Sequence, residues 1–452
     1  MNLVMIAFKS IRQRSLASSL TALSVALGVM LMVAVLVIHG IVERMFSQRS
    51  IGYDLIVGPK GSELQLVLNT VYRITQPIEN LPYLYYLQLK DDPWVKTAIP
   101  IALGDVTEEG NFPLVGTTEL FFENEYAPGR EFQLQAGDVM RTSFDAIIGS
   151  EVSRVNNWNV GSQFQLMHGG AESEGGHKHD EKFTVVGILA PTGTPNDKTV
   201  FIHLTGFFAI AGHDKPLKEA VKRWRDFNGQ PDDAAALEAD VKDWRKKCNL
   251  PEEDESAHGH EGHHHHGLCD IQKEVTAVLL TMKSPQAAIL FSSRLKKEYK
   301  AQAVNPIFTM NRLMNDVVGN VRTVLVVLTG LIIVVSGVGI FVSIYNSMAD
   351  RRKEIAIMRA LGAQRTTVFA IILAESILLC FGGGLLGMLL GHGLVYGASP
   401  IVQQKSGLLI DPFAFEWAEL ILLPALIGLA SLIGIVPGLT AYRTDVARTL
   451  AD

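Results

Sequence analysis

Histidine carries the most distinctive chemistry in this chain. One group is His168, His177 and His179, within MHGGAESEGGHKHDEK. A second is His258, His260, His263, His264, His265 and His266, with Cys269 and Asp270 just after it. Neutral imidazole is the commonest protein ligand for zinc, and thiolate and carboxylate bind it too. His-x-His repeats allow two-point chelation, and His266-Gly-Leu-Cys269 has a ligand spacing seen in metal sites. The flanks are rich in Gly, Glu and Asp, a composition suited to weakly structured loops, here 168–182 and 256–270. Such loops suit capture or sensing of zinc, or a related divalent metal, better than a rigid structural site. Two blander explanations stand beside this one. A histidine run can be an expression tag, but tags are normally terminal and this run is internal. It can also be polar loop composition without function.

A different chemistry is suggested by Arg351 to Leu379, RRKEIAIMRALGAQRTTVFAIILAESILL. A basic amphipathic segment runs straight into an apolar span. Ile355, Ile357, Met358 and Leu361 are expected near one helix face, with Arg351, Arg352, Lys353, Glu354, Arg359 and Arg365 around them. Gly362, with Ala363 after it, sits where a helix can end, because glycine tolerates left-handed backbone angles. A short charged helix between two hydrophobic spans suits contact with a cytoplasmic partner rather than catalysis.

Hydropathy gives the elements that must position these stretches. The chain has 452 residues, long enough for several domains, and its mean hydropathy is +0.21 although its middle is polar. That split implies a membrane protein with a large extramembrane part. Leu16 to Ile38 carries no charge and meets the requirement of about 20 apolar residues for a span. It is too long for a signal-peptide core and has no small-x-small cleavage site after it, so a retained span is expected. Spans are also expected at 321–348, 367–396 and 418–441. Between them lie an N-terminal segment 1–15, a domain at 39–320, a loop at 349–366, a short outer loop at 397–417 and a tail at 442–452. Lys9, Arg12 and Arg14 precede the first span, the Arg351–Arg365 cluster separates the second from the third, and Arg443 and Arg448 come after the fourth. The positive-inside rule puts both termini and that cluster in the cytoplasm, and the large domain outside, which in a Gram-negative cell is the periplasm.

Within 39–320, short β-type runs are expected at 54–57, 98–103, 112–115, 146–148, 183–189, 200–202 and 275–282, and helices at 217–227, 234–247 and 284–299. This describes an α+β domain. Gly58-Pro59-Lys60-Gly61 is expected to be a hairpin turn. Helical extensions of the spans are expected at His39–Arg49 and Asn305–Asn320. The net charge of −6 gives no basic surface for nucleic acid. Three cysteines do not make a disulfide framework, although Cys248 and Cys269 could pair in an oxidising compartment.

Three in-span features need partners. Gly383, Gly387 and Gly391, at four-residue spacing, allow close helix approach, either between subunits or within one. Glu375 costs about 2.5–3.5 kcal/mol to insert unpaired, so a partner such as a nearby basic residue is expected. His392 is expected to be a satisfied residue near the outer interface rather than a ligand.

The motif R-x-x-E-I-x-x-x-R-A-L-G-A, the Thr-rich link and the apolar run containing Glu375 resemble the loop between the second and third spans of the FtsX/MacB-like permease superfamily, the membrane subunits of type VII ABC systems. The arrangement of one span, a large outer domain and three spans is similar to that superfamily along nearly the whole chain. The ending Pro437-Gly438-Leu439-Thr440-Ala441-Tyr442-Arg443 resembles the family's, with Asp445 where a second Pro is usual. The resemblance implies a bacterial inner-membrane protein of four transmembrane helices with a periplasmic α+β domain inserted between the first and second. It implies a dimer of permeases, identical or not, above a cytoplasmic ABC ATPase that touches Arg351–Ala363. No G-x-x-x-x-G-K-[ST] phosphate loop occurs, so ATP is expected on a partner, and the chain itself is expected to be non-catalytic. Two functions stay open: an ABC transport subunit linked to zinc, with a periplasmic metal-binding partner, or a mechanotransmitter for lipoprotein release, efflux or cell-wall hydrolases. A membrane-anchored enzyme lacks any nucleophile or paired-carboxylate motif.

Overall fold

A computed structural model describes residues 3–13, 15–46, 52–74, 76–77, 79–127, 129–168, 179–210, 215–250, 268–350, 352–406 and 417–442. The chain divides into two compact units, one of residues 1–45 and 314–452, the other of residues 46–313.

The first unit is helical. Leu3–Gln13 is a short amphipathic helix, and Ser15–Phe46 is a long apolar one that continues past the expected end of its span. Gly319–Asp350, Arg352–Ala360, Arg365–Ser406 and Trp417–Tyr442 are the helices of the C-terminal half. Among the described residues three stretches are long and apolar enough to cross a membrane: Ser18–Gly40, Pro306–Gly339 and Arg365–Pro400. The last helix, Trp417–Tyr442, holds a shorter apolar stretch, Glu419–Leu432. A core of Val25, Val29, Val33, Ile372, Leu422 and Leu426 ties the Ser15–Phe46, Arg365–Ser406 and Trp417–Tyr442 helices together. The Gly319–Asp350 helix instead leaves Val324, Val327, Leu331, Val334 and Val335 exposed. Ahead of it, Met314–Val318 widens into a π-helical turn where the chain leaves one unit for the other.

The second unit is α+β. Its antiparallel four-stranded sheet has the order Gln302–Val304, Leu55–Gly58, Ala277–Met282, Val95–Ile101. Ile56 stands opposite both Leu279 and Val304. The unit's first strand therefore lies between two of its last, which brings its two chain ends together as an insertion between helices requires. A mixed sheet runs Gln163–Phe164, Phe183–Leu189, Asp145–Ile148, Val200–His203, Leu114–Thr117, with Leu134–Gly137 also paired to Phe183–Leu189. Its core strands bury Phe183, Phe201, Ile147 and Leu114 almost completely, as their near-continuous apolar runs demand.

Most expected strands and helices form within a few residues of their expected bounds. The Gly58–Gly61 turn is not a hairpin. It leads from a strand into the helix Glu63–Thr70, whose first turn is capped by Ser62 Oγ accepting from Gln65 N–H. Gly and Pro mark the chain reversal, but the serine after them selects a helix as the next element.

Candidate functional site

The helix Arg352–Ala360 is built as a surface element. Ile355 is buried and Met358 half-buried against the helical core, whereas Ile357 is 50% and Leu361 83% exposed. The four apolar residues therefore do not share one face. At about 100° per residue, Ile357 lies nearly opposite Ile355 and returns into line only with Leu361. One apolar side anchors the helix and the other stays open. Gly362 takes φ +103°, its N–H bonds the Arg359 carbonyl, and Ala363 N–H reaches back to the Met358 carbonyl. This pair of bonds is a Schellman cap, which stops the helix and turns the chain toward Arg365–Ser406. Arg352, Lys353 and Glu354 lie in the helix's first turn, Arg359 is half-buried, and Arg351 lies outside the described residues.

The glycine stripe faces the Ser15–Phe46 helix of the same chain. A Cβ on Gly383 would sit 2.8 Å from the Ala22 carbonyl oxygen, one on Gly387 2.6 Å from that of Ala26, and one on Gly391 2.8 Å from Val33. Only glycine admits a backbone approach this close, so these residues pack helices within one subunit. Glu375, buried in the Arg365–Ser406 helix, accepts a hydrogen bond of 2.9 Å from Ser10 in the short N-terminal helix. Near the other end of the same helix, His392 Nε2 lies 2.9 Å from Oε2 of Glu419, whose side chain is fully buried. Sequence reasoning places His392 among satisfied residues but passes over Glu419 as its partner.

The histidine groups fall largely outside the described residues, as His177 and His258–His266 do. His168 ends the strand Leu166–His168, and His179 is 8% exposed. Cys269 is joined to Cys248 in a disulfide with a Cα–Cα distance of 5.6 Å. A disulfide sulfur is not a thiolate donor, so the Cys269 expected among the metal ligands is removed from that set while the bridge stands. Asp270 pairs with Lys273 at 2.7 Å. Among the described residues no three His, Cys, Asp or Glu side chains form a ready-made metal cluster.

Two polar sites in the second unit have no sequence signal. Arg73 adopts a left-handed backbone, φ +58°, and its buried Nε and Nη1 meet no hydrogen-bond acceptor among the described residues. Burial pulls its guanidinium down to about 10, against the opposing pull of Tyr53. Beside it lies a cavity of about 30 Å³, shared with Tyr53, Phe121, Tyr126 and Phe132. A wider cleft of about 370 Å³ gathers Lys60, Glu79, Glu219, Arg223 and Lys300. Its charges are engaged: Arg223 holds Glu274 at 2.7 Å and Glu79 at 3.2 Å, and Lys300 donates to Asn228 at 2.9 Å.

The MacB-like periplasmic core domain family matches residues 18–246, and the FtsX-like permease C-terminal family matches residues 326–446. The macrolide export ATP-binding/permease protein MacB of Rhodopirellula baltica is 27% identical over 145 residues, 32% of this chain and 20% of that one. The ABC transporter permease MJ1507 of Methanocaldococcus jannaschii is 25% identical over 173 residues, 37% of this chain and 42% of that one. The ABC transporter permease YknZ of Bacillus subtilis is 28% identical over 141 residues, 30% of this chain and 32% of that one. The matched stretch thus spans less than half the length of each relative. With one family accounting for the first long helix and much of the inserted unit, and the other for the C-terminal helices, this chain belongs to the FtsX/MacB-like ABC transporter permeases.

Proposed function

We propose that this chain is the permease subunit of an ABC system in the bacterial inner membrane, with four spans, both termini cytoplasmic and the 46–313 unit in the periplasm. A separate cytoplasmic ATPase docks on Arg352–Ala363, and a second permease copy completes a dimer. Nucleotide-driven closure of the ATPase pulls on the helix and moves the periplasmic unit. The observation that carries this is the Arg352–Ala360 helix, anchored by Ile355 and Met358, stopped by Gly362, and offering Ile357 and Leu361 outward. The disulfide supports an oxidising location for its unit.

The client is zinc or a related divalent metal, held at the outer face by the histidine groups. Deleting 256–266 is expected to lower zinc binding by the purified protein and to abolish zinc-dependent changes in the activity of its cognate ATPase. Unchanged binding and unchanged activity would contradict the metal assignment and leave the coupling role standing. The second function, export or mechanotransmission without metal, is favoured by the macrolide export named for the Rhodopirellula relative and by Cys269 being tied in a disulfide.

A further inference from the structure

Two buried hydrogen-bond donors of the second unit border one small cavity. Thr70, in the last turn of the helix Glu63–Thr70, is 1% exposed, and its Oγ1 meets no partner among the described residues. Arg73 lies just beyond the helix, and its Nε and Nη1 are equally without an acceptor there. Both residues line the cavity of about 30 Å³, together with Tyr53, Phe121, Tyr126 and Phe132. Buried polar groups are nearly always paired, so two orphans at one cavity mark a place where an acceptor belongs.

The backbone points the same way. Arg73 holds φ +58°, and its N–H closes the helix by bonding the Asn69 carbonyl at 3.2 Å. At a left-handed position after a helix, glycine forms the turn at least cost. The arginine adds only its side chain, in surroundings that disfavour its charge: burial pulls the guanidinium down to about 10. An anion in the cavity would offset that penalty, as pairing does for a buried charge. One carboxylate of the chain, Glu125, also lines the cavity, but its Oε2 accepts the Gly129 N–H at 2.9 Å and serves its own turn. A single water takes about 10–15 Å³ of such space, so the cavity admits a group of roughly two or three heavy atoms. A carboxylate has that size, is planar like the guanidinium it would face, and can accept from Arg73 and Thr70 at once.

We propose that Thr70 and Arg73 form a carboxylate-binding pocket in the second unit, walled by the rings of Tyr53, Phe121, Tyr126 and Phe132. The apolar wall keeps the local dielectric low, which strengthens the pairing of a carboxylate with the guanidinium. Only the carboxylate enters, and the group that carries it stays outside. It comes from a free small acid or from the end of a partner's peptide. The pocket stands apart from both the metal assignment and the ATPase contact, and gives the 46–313 unit a contact of its own for a client or partner.

The test uses the full-length protein in detergent and fluorine NMR of trifluoroacetate, a carboxylate probe whose signal broadens on a large protein. Broadening is expected with the wild type, reversed by acetate and far less by chloride at equal concentration. Arg73→Gly, which also suits the left-handed backbone, is expected to weaken binding about 10–100-fold, as loss of a hydrogen bond to a charged group does. Thr70→Val is expected to weaken it about 2–10-fold. That hydroxyl bonds nothing among the described residues, so Thr70→Val should fold as the wild type and decides the matter if Arg73→Gly does not fold. N-acetylphenylalanine displacing the probe at lower concentration than acetate assigns the pocket to a peptide end, and displacement no better than acetate's assigns it to a free small acid. Unchanged binding by either folded variant would overturn the pocket, as would no binding by the wild type. Chloride as effective as acetate would also overturn it and leave an adventitious ion only.

Discussion

At Glu274 an acid sits between two bases and still resists ionisation. Arg223 lies at 2.7 Å and Lys215 at 4.0 Å, yet burial outweighs both and raises the carboxyl above its ordinary 4.5. A raised folded-state value favours the protonated form. Its contribution to stability is therefore fully present below about pH 4.5 and is lost as pH rises through the raised value. Melting curves of the wild type and Glu274→Gln across about pH 4–8 should show the wild type losing stability relative to the variant through that interval. A pH-independent gap would contradict the assignment. The same residue scale shows why part of the site is illegible in the sequence. His168 and His179 announce themselves by composition. Glu419, the partner of His392, carries no such mark, because only the packing of two helices brings it near. Arg73 is likewise unmarked, since an arginine's burial and left-handed backbone cannot be read from its flanks.

Among the elements, the glycine stripe and the disulfide offer the sharpest tests. Gly387→Ala would drive a Cβ to 2.6 Å from the Ala26 carbonyl oxygen, a backbone atom that cannot step aside. A cost of about 1–3 kcal/mol is expected, as for other overpacked sites. Gly393, in the same helix, has nothing within 4 Å of its Cβ position. Gly393→Ala should be neutral or stabilising by up to about 1 kcal/mol, because alanine is the better helix former. Thermal melts in detergent separate the two, and equal behaviour would contradict the close helix contact. Cys248 and Cys269, 21 residues apart, close the base of the segment holding the second histidine group. Cys248→Ser should cost about 3 kcal/mol through regained chain entropy in the unfolded state, a fall of several degrees in the melting temperature. An unchanged melt would mean the bridge constrains nothing. Long periodic or apolar runs such as 183–189, 217–227 and 234–247 are legible because one signal fills each element. Tyr83–Lys90 and Gln302–Val304 are not, since short pieces take their state from tertiary neighbours. The Arg352–Ala360 helix is legible too, but its apolar residues serve two faces where the pattern suggests one.

For the whole molecule, the distribution of hydropathy and basic residues marks the division into a helical unit and an inserted α+β unit. Pairing of Leu55–Gly58 with Ala277–Met282 and Gln302–Val304 brings the two ends of the 46–313 unit together. Hydropathy alone does not supply the use made of exposed apolar surface. Leu361 is 83% exposed on a helix whose other side is anchored, so its side chain is free to fill a partner's pocket. Truncating or charging such a residue typically costs about 2 kcal/mol or more of binding when it is central to an interface. The most direct measurement is ATP hydrolysis by the cognate ATPase reconstituted with the permease in lipid nanodiscs, comparing wild type with Leu361→Asp. The coupling account predicts that the variant folds and inserts normally but binds the ATPase about 30-fold more weakly and loses permease-dependent stimulation. Full binding and full stimulation by the folded variant would contradict it.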